Sequence, residues 1–177
     1  MTKSGQREKF LLMRKDLSAG ERKERDKKIC RKILESDEYL KSKKLFAYYP
    51  VRSEIDLLPL TVRAMSDGKV TALPVIKEDK IIFCEFDGES REGRFGIPEP
   101  TGGIVLPDEK TLCIVPGLGY DREKFRIGYG GGFYDRFLRA FTGVSLGAFY
   151  SEFYEERLPR DEYDIPLDII ITEKGIF

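Results

Sequence analysis

Short apolar runs alternate along the chain with longer segments of helical periodicity. Several of the runs end at proline or glycine, as is typical of buried strands. The predicted strands cover residues 45–49, 69–73, 81–86, 112–115, 143–150 and 167–172. Apolar positions at helical spacing predict two helices within the first 35 residues and two more at 57–65 and 133–141.

The order of these elements predicts an α/β fold. Strands that alternate with helices favour a three-layer α/β/α sandwich with a mostly parallel central sheet. Residues 1–177 are expected to form a single domain with a basic helical segment at about residues 3–35. Ser18 and Glu21 have the spacing of a capping box, which marks the start of the second helix. The glycine- and proline-rich segment 88–107 is expected to be a long surface loop.

Three polar segments directly follow predicted strands, at residues 50–56, 117–132 and 151–166. In open α/β sheets, ligands bind beyond the carboxyl ends of the strands. If the three strands are parallel, the three segments meet at one edge of the sheet and form a ligand site there.

The composition excludes several kinds of chemistry. The chain has no histidine, which rules out a Ser-His-Asp triad, a Cys-His pair and a histidine-held metal. Cys30, Cys84 and Cys113 are isolated in apolar surroundings and are expected to be buried, inert thiols. No run approaches the ~20 apolar residues of a membrane span, and the first residues do not resemble a signal peptide. We therefore expect a cytoplasmic protein that uses carboxylates, cations, backbone amides and an oxygen-held metal.

The charges are unevenly distributed although the net charge is zero. Residues 1–44 contain 15 Lys/Arg and 8 Asp/Glu, a surplus of seven positive charges. This segment is a candidate for meeting an anion, and a solvated basic helix face is the alternative.

The segment from Arg126 to Asp135 is rich in glycine and is followed by a predicted helix. Glycine permits positive φ angles and a close approach of the backbone to a ligand, and helix amides favour an anion. Arg126 can add a bidentate phosphate contact, and Asp135 can hold Mg²⁺. A flexible loop before a helix is the alternative. The segment lacks the Gly-Lys-Ser/Thr of a Walker A loop and does not have Rossmann spacing.

Two motifs make the chain resemble the 5-formyltetrahydrofolate cyclo-ligase (5,10-methenyltetrahydrofolate synthetase) family. The first is Val-Pro-Gly-Leu-Gly-Tyr-Asp at 115–121, and the second is Arg-x-Gly-x-Gly-x-Gly-Phe-Tyr-Asp at 126–135. Shorter matches lie at residues 54–55, 73–74 and 96–100, and the resemblance extends from residue 3 to about residue 168.

The resemblance implies ATP and Mg²⁺ as co-substrate and cofactor, a reduced folate as substrate, and a set of site residues. Lys3 and Arg7, at i and i+4 on one helix face, would bind ATP together with the glycine segment. Arg126 and Asp135 would be catalytic, and Asp135 and Asp164 would hold the metal. The implied ATP-binding set is Lys3, Arg7, Arg126, Gly128, Gly130, Gly131, Gly132, Phe133 and Tyr134. The implied folate-binding set is Tyr49, Glu54, Tyr129 and Phe133.

The implied reaction is phosphorylation of the formyl oxygen of 5-formyltetrahydrofolate by ATP, followed by ring closure and loss of phosphate. The chain departs from the family pattern at Gln6 (usually Leu), at Tyr129 (often basic) and at Tyr163 (often His). The family implies small-molecule partners only, and we expect a monomer that binds neither nucleic acid nor membrane.

Two other functions remain open at this point. An enzyme of similar layered build acting on a sugar phosphate or a coenzyme A ester would share the anion loop without needing ATP. A nucleic-acid-binding module would use the basic first 44 residues, although eight acidic residues interrupt them.

Overall fold

A computed structural model describes residues 1–51, 53–93 and 96–177. Its helices are α1 (Lys3–Asp16), α2 (Ala19–Glu35), α3 (Asp37–Lys41), α4 (Leu58–Ser66) and α5 (Phe133–Leu138). Thr2 caps α1 by accepting a hydrogen bond from the Gly5 backbone N–H. The predicted capping box at the start of α2 is confirmed, since Ser18 and Glu21 each bond the other's backbone.

The strands form one large sheet and two small ones. They are β1 (Lys44–Phe46), β2 (Val70–Lys77), β3 (Lys80–Glu85), β4 (Ser90–Glu92), β5 (Pro98–Pro100), β6 (Thr111–Val115), β7 (Gly119–Asp121), β8 (Arg126–Ile127), β9 (Val144–Ala148), β10 (Tyr154–Glu155) and β11 (Ile169–Ile171). The large sheet has six strands in the order β11-β9-β6-β1-β2-β3. All its neighbouring pairs are parallel except the β2–β3 hairpin at one edge. The predicted mostly parallel sheet is therefore confirmed.

Adjacent residues of the central strands pack into two different cores, one on each face of the sheet. Leu45 belongs to a cluster that contains residues of α1, α2, α3 and α4. Its neighbour Phe46 belongs to a second cluster, which contains Leu138 of α5. Side chains alternate across a strand, so these clusters place helices on both faces of the sheet. The three-layer α/β/α prediction is confirmed.

Several elements differ from the sequence predictions. The segment 88–107 is not only loop, because β4 and β5 pair within it as an antiparallel ribbon. The segments 117–132 and 151–166 are not only loops either, since they contribute the three-stranded sheet β10-β7-β8. Helix α5 ends at Leu138 rather than at 141. Beyond Leu138, the backbone N–H groups of Ala140 and Phe141 donate to the carbonyls three residues earlier, instead of the carbonyls four residues earlier as in an α-helix. Short two- and three-residue strands carry too little apolar pattern to be recognised in a sequence.

The three cysteines are free and buried, as expected. Burial raises the pKa of the Cys30 thiol to about 12. Within the described ranges, no helix is both long and apolar enough to cross a membrane.

Candidate functional site

The three polar segments expected at one sheet edge do meet there. They follow β1, β6 and β9, which are adjacent and parallel in the sheet. Parallel strands end at the same edge, so the segments that follow them share that edge. The site described below is built from these segments and from α1, which packs against β8.

The glycine segment turns sharply from β8 into α5. Gly130 has φ +102° and Gly132, the residue that precedes α5, has φ +63°. Both angles lie in a region that residues with a Cβ rarely adopt, which explains glycine at these positions. A Cβ at Gly128 would meet no atom within 4 Å, so the backbone there faces open space. The turn therefore presents bare backbone at the sheet edge.

Helix α1 lies against this turn and supplies cations to it. The Arg7 Nε donates to the Gly128 carbonyl at 2.9 Å, and a Cβ on Gly130 would lie 3.4 Å from the Arg7 guanidinium. Arg14 is 4% exposed and donates to the Tyr129 hydroxyl at 3.0 Å and to the Gly117 carbonyl. Burying a guanidinium is costly unless it is hydrogen-bonded or paired with an anion. The two hydrogen bonds of Arg14 therefore hold this cation in place beside the glycine turn.

The predicted pair Arg126 and Asp135 is in direct contact. The Arg126 Nη2 lies 3.1 Å from the Asp135 Oδ1, and the Arg126 side chain is 5% exposed. Ile165 closes the group, because its N–H donates to the Asp135 Oδ1 at 3.1 Å and its carbonyl accepts from the Arg126 Nη1 at 3.0 Å. This triangle fixes the start of α5 to the segment that follows β9.

Lys3 reaches the same segment from the first turn of α1. Its ammonium lies 2.8 Å from the Asp161 carboxylate and also contacts Asp164. Burial alone would lower the pKa of Lys3, but the hydrogen bonds to Asp161 and Asp164 outweigh it, so the pKa is raised. Lys3 therefore stays charged, and Asp164 is held beside Ile165 and hence near Asp135.

The two carboxylates expected to hold a metal are thus neighbours through Ile165, and each is paired with a cation. Two carboxylates with substrate phosphates and water are a sufficient oxygen set for Mg²⁺. In the part of the chain that the structure describes, three or more His, Cys, Asp or Glu side chains do not converge on one point. The residues fit a metal held jointly with a ligand rather than a closed protein site.

Glu54 lies near the hydroxyls of Tyr48 and of Tyr129, which belongs to the glycine turn. Its carboxylate accepts the Val51 N–H at 2.9 Å. Burial raises the pKa of Tyr129, and the charge and hydrogen bond of Glu54 raise it further against the opposing effect of Arg14. Burial followed by the charge of Glu54 likewise raises the pKa of Tyr48. Ser53, directly before Glu54, has φ +62°, a strained conformation that tends to occur at functional sites.

Two of the predicted aromatic residues have less defined roles in this geometry. Tyr49 is partly buried and packs against the core cluster of α1 to α4. Phe133 is partly buried under the Arg136 guanidinium, which lies 4.8 Å from its ring centre. Tyr134 has a buried hydroxyl without a hydrogen-bond partner among the described residues.

The sequence predictions omitted Arg14 and Tyr48. Arg14 follows Arg7 by seven residues, or two helical turns, so it lies on the same face of α1 as Lys3 and Arg7. That spacing could have identified Arg14 as a site residue from the sequence. Tyr48 looked like an ordinary strand residue, and only the packing of the segment after β1 places its hydroxyl near Glu54.

Comparisons with known proteins identify the family of this chain. The sequence model of the 5-formyltetrahydrofolate cyclo-ligase family matches residues 1–173. A protein of Haemophilus influenzae named 5-formyltetrahydrofolate cyclo-ligase is 28% identical over 171 residues, covering 90% of this chain and 91% of that protein.

Solved structures give the same result. The NMR structure of the Aquifex aeolicus 5,10-methenyltetrahydrofolate synthetase has a TM-score of 0.89 at 37% identity, covering 99% of this chain and 92% of that one. A 5,10-methenyltetrahydrofolate synthetase structure from Mycoplasma pneumoniae has a TM-score of 0.81 at 24% identity, covering 98% and 99%, and supports the fold alone. The chain therefore belongs to the 5-formyltetrahydrofolate cyclo-ligase family.

Proposed function

We propose that this protein uses ATP to convert 5-formyltetrahydrofolate into 5,10-methenyltetrahydrofolate, with release of ADP and phosphate. The names of the relatives support the reaction. One observation supports the ATP requirement above all. The exposed backbone of the glycine turn contacts the Arg7 guanidinium and is flanked by the ion pair of Arg126 and Asp135. Backbone amides and fixed cations together are the usual means of binding phosphate.

The nucleotide phosphates would lie over the glycine turn. Arg126 is nearly buried, so its charge acts in a poorly screened environment where it stabilises an anion more than in water. The proposed contacts are those of Lys3, Arg7, Arg126, Gly128, Gly130, Gly131, Gly132, Phe133 and Tyr134.

The chemistry begins with transfer of the γ-phosphoryl group of ATP to the formyl oxygen, which releases ADP. The second folate nitrogen then attacks the activated carbon and loses its proton to solvent, the carbon–oxygen bond breaks, and phosphate leaves with that oxygen. Phosphoryl transfer depends on positioning and charge neutralisation more than on acid-base catalysis, so a site without histidine is suited to it. Arg126 would stabilise the charge on the phosphoryl group, and Asp135, the other proposed catalytic residue, would act as a metal ligand.

Asp135 and Asp164 would hold Mg²⁺ together with the phosphates. When bound, the ion neutralises phosphate charge. Lys3 and Arg126, which now pair with these carboxylates, would then be available to phosphate oxygens.

The folate would lie on the Glu54 side of the turn. The Glu54 carboxylate can accept hydrogen bonds from the amino and ring N–H groups of a pterin. Tyr49, Tyr129 and Phe133 would pack against the folate rings. We further propose that the protein acts in the cytoplasm as a monomer.

An absorbance assay for the methenyl product tests this proposal. Purified protein with 5-formyltetrahydrofolate is expected to form product only when ATP and Mg²⁺ are present, with one ADP per product. Product formation without ATP would contradict the proposal. ATP-independent turnover of a sugar phosphate or a coenzyme A ester would favour the alternative enzyme class.

A further inference from the structure

Arg14 is a cation buried on the core-facing side of α1. The buried residues of this helix are Gln6, Phe10 and Arg14, which follow one another at intervals of four and so share one face. Arg14 is 4% exposed, although burying a guanidinium costs more free energy than burying an apolar side chain of similar volume. A charge at this position indicates a role other than packing.

The hydrogen bonds of Arg14 join α1 to both ends of the segment 117–132. Its Nη2 donates to the Gly117 carbonyl, and its Nη1 donates to the Tyr129 hydroxyl at 3.0 Å. A guanidinium has no acceptor, so the Tyr129 oxygen accepts this bond and its own proton is directed to another partner. The Glu54 carboxylate is that partner. After burial, the charge of Glu54 and its hydrogen bond are what raise the pKa of Tyr129.

Glu54 is therefore held by donors from two different segments. The Val51 N–H, three residues earlier in the same segment, donates to its Oε2 at 2.9 Å. The Tyr129 hydroxyl reaches Glu54 from the glycine turn, and Arg14 fixes that hydroxyl from α1. The first donor orients Glu54 within its own segment, whereas the second orients it relative to the glycine turn. The direction of the carboxylate thus depends on a chain of hydrogen bonds that begins at Arg14.

We propose that Arg14 is a positioning residue that acts through the Tyr129 hydroxyl to orient the Glu54 carboxylate toward the pterin of the folate. Arg14 acts on the carboxylate and not on the reacting atoms. Its contribution is therefore the same in the ground state and in the transition state, and it affects substrate affinity rather than turnover. This inference rests on the proposed function, since it requires Glu54 to bind the folate.

The test replaces Arg14 by methionine, an apolar side chain of similar length, and measures KM and kcat in the methenyl absorbance assay. We expect the KM for 5-formyltetrahydrofolate to rise about 3- to 10-fold, as for the loss of one hydrogen bond in both states. The KM for ATP and kcat should each change less than about twofold. The control Lys15→Met makes the same replacement at the next position of α1, where the side chain is exposed, and should change none of these values.

Combination with Glu54→Ala separates positioning from a general structural role. No carboxylate remains to be oriented in Glu54→Ala, so adding Arg14→Met should raise the folate KM by less than about twofold further. A structural role would instead multiply the two effects and would also raise the KM for ATP. Multiplied effects, or a wild-type folate KM in Arg14→Met, would overturn the inference.

Tyr129→Phe tests the same chain of hydrogen bonds without removing a buried charge. It deletes only the hydroxyl of a residue that is 40% exposed, so this variant is expected to fold even if Arg14→Met does not. The folate KM should rise as in Arg14→Met, and the double variant should show no more than the larger single effect. An unchanged folate KM in Tyr129→Phe would overturn the inference. None of these results would affect the proposed cyclo-ligase reaction, which fails only if wild type forms no methenyl product from ATP.

Discussion

Replacing Arg126 by alanine tests the proposed phosphate site most informatively among single substitutions. The wild-type side chain is 5% exposed, contacts Asp135 at 3.1 Å and donates to the Ile165 carbonyl at 3.0 Å. The substitution removes both contacts and the cation that we assign to the transferring phosphoryl group.

Two magnitudes follow from this geometry. Removing one member of a fully buried ion pair costs about 3–5 kcal/mol of unfolding free energy. Asp135 is 23% exposed and would still accept the hydrogen bond from the Ile165 N–H in the variant. We therefore expect a smaller loss of unfolding free energy, about 2 kcal/mol. Loss of one donor that stabilises a transition-state anion typically lowers kcat about 100-fold or more. The catalytic effect should therefore be much larger than the effect of partial unfolding.

Denaturant unfolding and the methenyl absorbance assay, run on the same samples, measure both effects. Arg122→Ala is the matched control, since Arg122 forms an ion pair with Glu156 in which both side chains are about two-thirds exposed or more. It should change the unfolding free energy by less than about 1 kcal/mol and leave the rate unaltered. A folded Arg126→Ala protein with a near-wild-type rate would refute the assignment of Arg126 to the phosphoryl group.

Two further substitutions give independent expectations. Glu54→Gln should raise the KM for 5-formyltetrahydrofolate about tenfold, because a charged acceptor of hydrogen bonds becomes neutral. The KM for ATP should change less than twofold. Equal changes for both substrates would count against the folate-binding role of Glu54. Glu173→Gln should lower the unfolding free energy by about 1 kcal/mol at pH 7, because Glu173 accepts two hydrogen bonds from Ser151. Burial opposes ionisation of Glu173, but these bonds lower its pKa below the usual 4.5. The stabilisation is therefore complete above that value and lost as the pH falls through the lower folded pKa, so unfolding curves of the two proteins should converge in acid.

The main sheet and the glycine turn were predictable because both depend on local sequence. The buried strands β1, β6 and β9 lie in short, mostly apolar runs, and parallel pairing brings their following segments together. Gly130 and Gly132 have positive φ angles, which glycine adopts readily and other residues rarely do, so the glycines in the sequence predict this turn.

The rest depended on side-chain contacts that the spacing of residues along the chain does not reveal. Lys3 pairs with Asp161 and Asp164 more than 150 positions away, and spacing within α1 indicates only which face Lys3 occupies. The pairing of Arg126 with Asp135 was likewise not predictable, because the sequence treats one as a phosphate ligand and the other as a metal ligand. In the structure, the Arg126 guanidinium and the Asp135 carboxylate satisfy each other.

The fate of the formyl oxygen tests the central claim most directly. If the substrate carries a heavy oxygen isotope in its formyl group, direct phosphorylation of that oxygen requires the label to appear in inorganic phosphate during ATP-dependent turnover. We predict one labelled phosphate per methenyl product. Unlabelled phosphate, with the isotope released into water, would contradict phosphoryl transfer to the formyl oxygen.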